Sequence, residues 1–183
     1  VRYIGTSNDS AYGLTKANET SKNKNLSRFE SIQNNFSLLN PRFFDELANV
    51  CRKENISLLP YSPMAGGVLS GKYNGNFYPQ DARFTSYLNN ESKRVRLMAD
   101  RFVNDKTLKA TAKYLELAKE YNVSPVTLAI SYSKHFDFVA STIIGARVLS
   151  QLDDSLKAFA FKIDDELLSK IEIIQKEILY PMG

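Results

Sequence analysis

Short apolar runs alternate along the chain with longer segments in which apolar residues recur at helical spacing. Four of the short runs predict β-strands, at residues 2–5, 29–33, 56–60 and 139–144. The third run is apolar except for Ser57, a pattern typical of a strand in a parallel sheet that is covered on both faces.

The longer segments have the apolar spacing of amphipathic helices. They lie at about residues 12–25, 40–51, 93–104, 106–121, 124–132, 150–159 and 164–178. Asn40 followed by Pro41 predicts a helix start, because Asn caps a helix and Pro suits its first position. The pair Ser124 and Pro125 predicts another start of this kind.

Strands that alternate with helices imply a parallel sheet with right-handed crossovers. The predicted class is therefore α/β, built of parallel (β/α) units. Four strands in 183 residues fit either an open doubly wound sheet or roughly the second half of a (β/α)8 barrel, since a whole barrel needs about 250 residues.

Residues 61–92 interrupt this alternation with a stretch rich in Gly, Pro, Asn and Tyr that has no regular period. Unstructured segments of this length are uncommon inside a domain and are usually functional. We expect residues 66–90 to be mobile without a ligand, because the segment offers few apolar anchors.

Composition narrows the class of protein. With 43% hydrophobic and 24% charged residues the chain is globular, and its single cysteine, Cys51, excludes a disulfide framework. The net charge of +4 permits an anionic ligand without indicating nucleic acid. No apolar run approaches the roughly 18 residues of a membrane span, so we expect a cytoplasmic protein with no membrane partner. The chain opens without Met on a predicted strand, so we expect it to be processed or part of a longer chain.

Polar groups follow each predicted strand: Ser7 and Asn8, Gln33 and Asn34, Tyr61 and Ser62, and residues 145–147. Carboxyl ends of parallel strands meet on one face, where active sites are built. These residues either terminate strands or form a ligand site. Residues 61–73 favour the second alternative, because they join a Tyr ring, small residues and a Lys in the manner of a phosphate or pyrophosphate clamp.

Groups for catalysis are scarce. His135 is the one histidine and falls at a predicted helix end, and Cys51 falls on an apolar helix face, which predicts an unreactive thiol. No cluster has metal-ligand spacing. We therefore predict no catalytic residue and no metal site.

Five motifs occur in the order found in aldo-keto reductases: RYIGTSN at residues 2–8, IQN at 32–34, PYSP at 60–63, GVLSGKY at 67–73 and IGAR at 144–147. The chain resembles this family nearly end to end, in the branch of Tas-type reductases and potassium-channel β subunits. The match covers only the second half of the family's barrel. The resemblance implies a single truncated domain at residues 1–183, a carboxyl-terminal half-barrel.

The resemblance also implies NADP(H) as cofactor and assigns its contacts. Ser7, Asn8 and Gln33 would bind the nicotinamide carboxamide, and Tyr61 would stack on its ring. The pyrophosphate would be held by Ser62, Pro63, Met64, Ala65, Gly66, Gly67 and Lys72, with Arg83 helping to close the loop. The 2′-phosphate side would meet Gly145, Arg147 and Gln151, and the adenine would meet Asp154 and Ser155, where the family usually has Glu and Asn.

The function implied is that of an NADP-dependent reductase of small carbonyl substrates. The family's catalytic Asp, Tyr, Lys and His come from the first half of the barrel, so we expect this chain alone to be inactive. Two alternatives stay open: a cofactor-sensing module like the channel β subunits, and an open α/β domain without a dinucleotide. Open edges at residues 2–5 and 139–144 predict a homo-oligomer or poor solubility.

Overall fold

The computed structural model describes residues 1–75 and 77–182, and its central feature is a parallel sheet. Strands β1 (Ile4–Ser7), β2 (Phe29–Asn35) and β3 (Ser57–Tyr61) lie in the order β1-β2-β3. Helix α1 (Ala11–Asn23) connects the first pair and α2 (Leu47–Glu54) the second. The predicted α/β class with parallel strands is confirmed, and it is consistent with part of a (β/α) barrel.

Six further helices follow the sheet: α3 (Arg83–Leu88), α4 (Lys93–Asp100), α5 (Asp105–Glu120), α6 (Pro125–Lys134), α7 (Ser150–Ala160) and α8 (Asp165–Glu177). Side-chain caps begin three of them. Asn104 and Thr107 form a reciprocal capping box on α5, Ser124 caps α6 with Pro125 in its first turn, and Asp164 caps α8. The helix starts predicted near these residues are confirmed.

The helix start predicted at Asn40 and Pro41 is wrong. A short 3₁₀ turn (Arg42–Phe44) follows Pro41, and α2 begins only at Leu47. Asn40 makes an isolated antiparallel bridge to Ser37, and its side-chain amide donates to the Asn35 carbonyl at 3.5 Å. Asn40 therefore closes a turn and is not free to cap a helix.

The fourth strand predicted at residues 139–144 is also wrong as a regular strand, although the segment does run parallel to β3. Val139 makes a single parallel bridge to Leu58. The Ala140 N–H donates to the Leu58 carbonyl at 3.0 Å, and the Ile143 N–H donates to the Pro60 carbonyl at 2.8 Å. Between these two hydrogen bonds the segment advances by three residues, from 140 to 143, whereas β3 advances by two, from 58 to 60. The extra residue breaks the ladder in the manner of a bulge.

Residues 61–92 have more apolar anchors than predicted. They contain a 3₁₀ segment (Ala65–Ser70) and helix α3, and Val68, Leu69, Tyr73 and Phe84 are each at most 2% exposed. The expected scarcity of anchors is therefore wrong. These side chains come from tight turns and a single short helix, so they show no period in the sequence. Asn76, which the predicted loop includes, lies outside the described residues.

An aromatic cluster joins the sheet to the helices that follow. The Phe36 ring, just after β2, is fully buried and contacts five rings at centroid distances of 5.4 to 6.1 Å, those of Phe43, Phe44, Tyr132, Phe136 and Phe138. Nearby, both Asp137 carboxylate oxygens accept from the Arg52 guanidinium, which lowers the pKa of Asp137 below its usual range. These contacts hold α6 and the segment beside β3 against the sheet.

Cys51 lies in the core beneath this cluster and is 1% exposed. Burial raises the pKa of its thiol to about 11. The raised pKa favours the neutral thiol near pH 7, and the predicted place of Cys51 on a buried helix face is confirmed. Among residues 1–75 and 77–182, no helix combines the length and apolar character needed to cross a membrane.

Phe84 should be a principal anchor of residues 61–92. Its ring stacks on Phe102 at 4.8 Å, and its N–H donates to the Tyr73 hydroxyl at 3.0 Å. We expect Phe84→Ala to lower the free energy of unfolding by about 3 kcal/mol or more, because it empties a buried ring site. Urea denaturation measures this loss.

Phe77→Ala is the matched control from the same segment, because the Phe77 side chain is 92% exposed. We expect that change to stay within about 0.5 kcal/mol. Equal losses for the two variants would show that Phe84 does not anchor the segment.

Candidate functional site

The carboxyl ends of the three strands bring four of the predicted site residues together. The Tyr61 hydroxyl donates to Asn8 Oδ1 at 2.7 Å, and the Asn8 side-chain amide donates to Ser7 Oγ at 3.0 Å. Ser7 Oγ in turn donates to the Gln33 carbonyl at 3.1 Å. Ser7, Asn8, Gln33 and Tyr61 therefore form one hydrogen-bonded cluster at the sheet edge, and we call it the strand-end cluster.

Asn8 has a strained backbone that this cluster stabilises. Its φ is 55°, in the left-handed region that Asn tolerates better than most residues. Its N–H donates to the Gln33 carbonyl at 3.1 Å and to Asn34 Oδ1 at 2.8 Å. The turn after β1 is thus tied to β2 by backbone and side chain together.

The turn after β3 (residues 62–67) has an unusual backbone. Four of its residues have positive φ: Ser62 at 54°, Ala65 at 48°, Gly66 at 64° and Gly67 at 96°. Left-handed conformations cost a residue with a side chain about 1 to 2 kcal/mol. Strain of this kind concentrates at ligand clamps and active sites. The turn is therefore a candidate position for a ligand, and its predicted role as a clamp stays a prediction.

Two side chains lie against residues 62–67, which we call the glycine turn. A Cβ placed on Gly66 would be 2.6 Å from the buried Phe84 ring, so that ring packs directly on the glycine backbone. A Cβ on Gly67 would be 2.9 Å from Lys72 Cε and Nζ. Lys72 thus folds over the turn and places its ammonium group beside it. Arg83, at the start of α3, lies over the Phe84 and Tyr87 rings at 5.7 and 5.4 Å.

A third group of predicted residues lies in and before α7. Arg147 Nη1 donates to the Asp81 carbonyl at 2.8 Å, which links this region to the segment that carries Arg83. The Arg147 N–H donates to Gln151 Oε1 at 2.9 Å. A Cβ on Gly145 would meet nothing within 4 Å, so the space beside the backbone of Gly145 is open.

The side chains of Asp154 and Ser155 contact other residues of their own helix, α7. The Asp154 carboxylate pairs with Lys157 at 2.9 Å, and this contact lowers the pKa of Asp154 below its usual range. The Ser155 hydroxyl donates to the Gln151 carbonyl of its own helix at 3.0 Å. Both side chains are thus satisfied within α7.

A cleft of about 460 Å³ opens beside the strand-end cluster. Its lining residues are Asn8, Asn34, Asn35, Asn40, Arg42, Phe43, Leu47, Tyr61, Arg101 and Met182. Asn35 Oδ1 is buried without a hydrogen-bond partner among the described residues. In the described part of the chain, no group of three or more His, Cys, Asp or Glu is placed to hold a metal ion.

Sequence reasoning missed several of these lining residues. Asn35 could have been found, because it ends β2 directly beside the predicted Asn34. Arg42 follows the mispredicted helix start. Arg101 and Met182 lie far along the chain and enter the cleft only through tertiary packing, so no local pattern indicates them.

Comparison with known proteins gives a consistent family. Residues 1–176 match the model of the aldo/keto reductase family. The chain is 33% identical over 181 residues to Protein tas of Escherichia coli (strain K12), covering 99% of this chain and 50% of that protein. It is 29% identical over 164 residues to an aldo-keto reductase of Babesia bovis, covering 85% of this chain and 54% of that one.

A third relative is named "Probable voltage-gated potassium channel subunit beta" and comes from Oryza sativa subsp. japonica. It is 30% identical over 175 residues, covering 94% of this chain and 52% of that protein. The chain thus spans about half the length of the curated relatives it matches.

Substitution at Gly66 tests the backbone conformation of the glycine turn directly. Gly66→Ala introduces both a left-handed alanine and an overlap with the buried Phe84 ring. We expect the free energy of unfolding to fall by about 2 kcal/mol or more, from backbone strain and overpacking combined. Chemical denaturation of the two proteins measures the difference.

Gly145→Ala is the control, because its φ is not positive and the added methyl meets open space. We expect that variant to match the parent within about 0.5 kcal/mol. A neutral Gly66→Ala would mean that the turn is not held against Phe84.

Proposed function

The chain belongs to the aldo/keto reductase family, and from that premise we propose that it is the NADP(H)-binding, carboxyl-terminal half of a carbonyl reductase. Residues 1–183 would form one truncated domain. The observation that carries the proposal is the strand-end cluster of Ser7, Asn8, Gln33 and Tyr61. Its polar groups and tyrosine ring adjoin a strained glycine turn and a cleft.

Three features of the structure fit a dinucleotide at this edge of the sheet. Asn35 Oδ1 is a buried acceptor that lacks a donor among the described residues. The missing Cβ of Gly67 leaves room for Lys72 Cε and Nζ, so an ammonium group lies beside the turn, where it could meet a phosphate. The space beside Gly145 is open.

We assign the contacts as follows. Ser7, Asn8 and Gln33 hold the nicotinamide carboxamide and Tyr61 supports the ring. The pyrophosphate is bound by residues 62–67 and Lys72, with Arg83 closing the segment, and the 2′-phosphate by Arg147 and Gln151. Contact of Asp154 and Ser155 with the adenine requires the ion pair between Asp154 and Lys157 to open.

Bound NADPH supplies a hydride to a carbonyl carbon, and such a reduction also needs an acid that protonates the carbonyl oxygen. The Tyr61 hydroxyl is engaged with Asn8, and Lys72 lies over the glycine turn. We assign no catalytic residue to this chain and expect it alone to leave aldehydes unreduced. Its residues bind and orient the cofactor, and the small carbonyl substrate belongs to the longer reductase.

A cofactor-sensing regulatory module is the second candidate. The relative of Oryza sativa whose name refers to a potassium channel β subunit favours it. Both candidates need the same cofactor contacts. They differ in whether the longer protein turns over a carbonyl substrate. We also propose a cytoplasmic location, because the single cysteine is a buried free thiol and such thiols suit a reducing compartment.

NADPH titration by calorimetry tests the proposal. We expect weak binding to the 183-residue chain and tighter binding with turnover when an amino-terminal half-barrel carrying the family's catalytic residues is supplied. In that longer protein, Tyr61→Ala should weaken NADPH binding by about 1 kcal/mol or more through lost stacking.

Tyr12→Ala controls for the loss of a tyrosine, because Tyr12 is 77% exposed on α1. It should leave NADPH affinity unchanged. Tight NADPH binding with efficient aldehyde turnover by the 183-residue chain would contradict the half-barrel proposal. Binding without turnover by the longer protein would favour the sensing module.

Self-association follows from the exposed edges. Strand β1 pairs with only one neighbour in the described structure, and Tyr3 beside it is 75% exposed. Ile143 and Ile144, at the opposite side of the sheet, are each 40% exposed. Such apolar edges recruit other chains.

We therefore expect light scattering at several concentrations to give a dimer or larger assembly of the 183-residue chain. The triple change of Tyr3, Ile143 and Ile144 to Lys should shift the population toward monomer through charge repulsion at the edges. A parent chain that remains monomeric at all concentrations would contradict this expectation.

A further inference from the structure

Two guanidinium groups line the cleft beside the strand-end cluster. Arg42 follows β2, and Arg101 ends α4. No Asp or Glu is among the described residues that line the cleft. The charged side chains that line the cleft are therefore all positive, so they would attract an anionic group.

Neither arginine is neutralised by a neighbour. Across the described residues, neither Arg42 nor Arg101 takes part in a salt bridge, and neither side chain donates a hydrogen bond to the protein. The carboxylate of Asp45, three residues after Arg42, accepts from the Tyr180 hydroxyl at 2.9 Å. It does not line the cleft. Both guanidinium groups thus keep their donors for a ligand.

Arg42 is held in place without using its donors. Its guanidinium carbon lies 4.7 Å from the centroid of the Tyr180 ring, and the ring is tied to Asp45. A stacked arginine is restricted in rotation while its in-plane N–H groups stay free. Less conformational entropy is then lost when it binds a planar anion.

The remaining polar lining consists of four amides and the hydroxyl of Tyr61, which donates to Asn8 Oδ1. Asn8, Asn34, Asn35 and Asn40 surround the same space as the arginines. Asn35 Oδ1 lacks a donor, so a ligand hydroxyl or N–H would satisfy it. The cleft offers cationic donors for an anion and one acceptor for a neutral donor group.

We propose that this cleft binds the carboxylate of the substrate, so that the carbonyl compounds taken by the reductase are aldehydes or ketones that also carry a carboxylate. This inference rests on the proposed function, because the cleft adjoins the residues assigned to the nicotinamide. Arg42 and Arg101 fix the carboxylate by charge-assisted hydrogen bonds, and a paired fork geometry suits that group. They are substrate-positioning residues and take no part in proton or hydride transfer.

A phosphate of the cofactor is the other anion that could reach these arginines. The cofactor phosphates are already assigned to the glycine turn with Lys72 and to Arg147, which lie outside the cleft lining. Separate titrations of a carboxylate and of NADPH distinguish the two sources.

The experiment uses benzoate as the carboxylate probe and benzamide as its neutral counterpart, titrated into the 183-residue chain by calorimetry at low salt. We expect benzoate to bind at least about tenfold more tightly than benzamide, because only benzoate gains charge-assisted hydrogen bonds. Arg101→Gln should weaken benzoate binding by about tenfold and leave NADPH affinity unchanged.

Arg94→Gln is the matched control, because Arg94 is exposed on the same helix and does not line the cleft. It removes the same charge and should leave benzoate affinity unchanged. Arg42→Gln provides a second variant, and far-UV circular dichroism with a denaturation midpoint checks that each variant folds as the parent does.

Three results would overturn the inference. These are equal affinity for benzoate and benzamide, equal losses in Arg94→Gln and Arg101→Gln, and a loss of NADPH affinity in Arg101→Gln while benzoate affinity stays unchanged. Arginine-dependent benzoate binding in a chain that binds no NADPH would support the carboxylate site and contradict the proposed cofactor function. NADPH binding without benzoate binding would do the reverse.

Discussion

Parallel pairing of three strands is the constraint on which the site depends. The register places Ser7 opposite Gln33 and Asn35 opposite Tyr61, so the last residues of all three strands lie along one edge. Neighbouring strands are only about 4.8 Å apart. Side chains of neighbouring strands therefore reach one another there, as Ser7 does with Gln33. The long Tyr61 side chain also crosses the intervening β2 to donate to Asn8, 53 residues away in the chain. Slipping any strand by one residue would turn the paired side chains to the other face and separate this cluster.

The turns at the carboxyl edge of the sheet keep their strained conformations only because other contacts stabilise them. Positive φ at Ser62 and Ala65 is unfavourable for residues with a side chain. The opposing stabilisation comes from burial, since Ala65, Val68 and Leu69 enter the core and the Phe84 ring packs on Gly66. Burial of a single large apolar side chain contributes about 1.5 to 3 kcal/mol, which is enough to offset one strained residue. The turn and the side chains that anchor it are thus one structural unit.

Charge is distributed unevenly around this edge. Lys72, Arg83, Arg42 and Arg101 lie beside the turns or the cleft, and none of them takes part in a salt bridge within the described residues. The salt bridges that do occur involve other residues, such as Arg52 with Asp137 and Lys113 with Glu177. Cations of one sign that line a cleft or turn raise its electrostatic potential and attract anions. Both a ligand with phosphates and a substrate with a carboxylate would be attracted by these cations.

The sequence by itself determined the class of fold, the starts of α5, α6 and α8, and the strand-end residues, because each of these is encoded within a few neighbouring positions. Apolar runs show which strands are buried, and polar residues after them show where the strands end. Only the tertiary structure decided the rest. The segment beside β3 has one extra residue and therefore does not form a regular ladder of hydrogen bonds. Asn40 closes a turn with Ser37. The buried side chains that anchor residues 61–92 follow no regular spacing in the sequence. Arg101 and Met182 entered the cleft from distant parts of the chain. Such contacts depend on which elements pack together, and local spacing carries no information about packing between residues far apart in the chain.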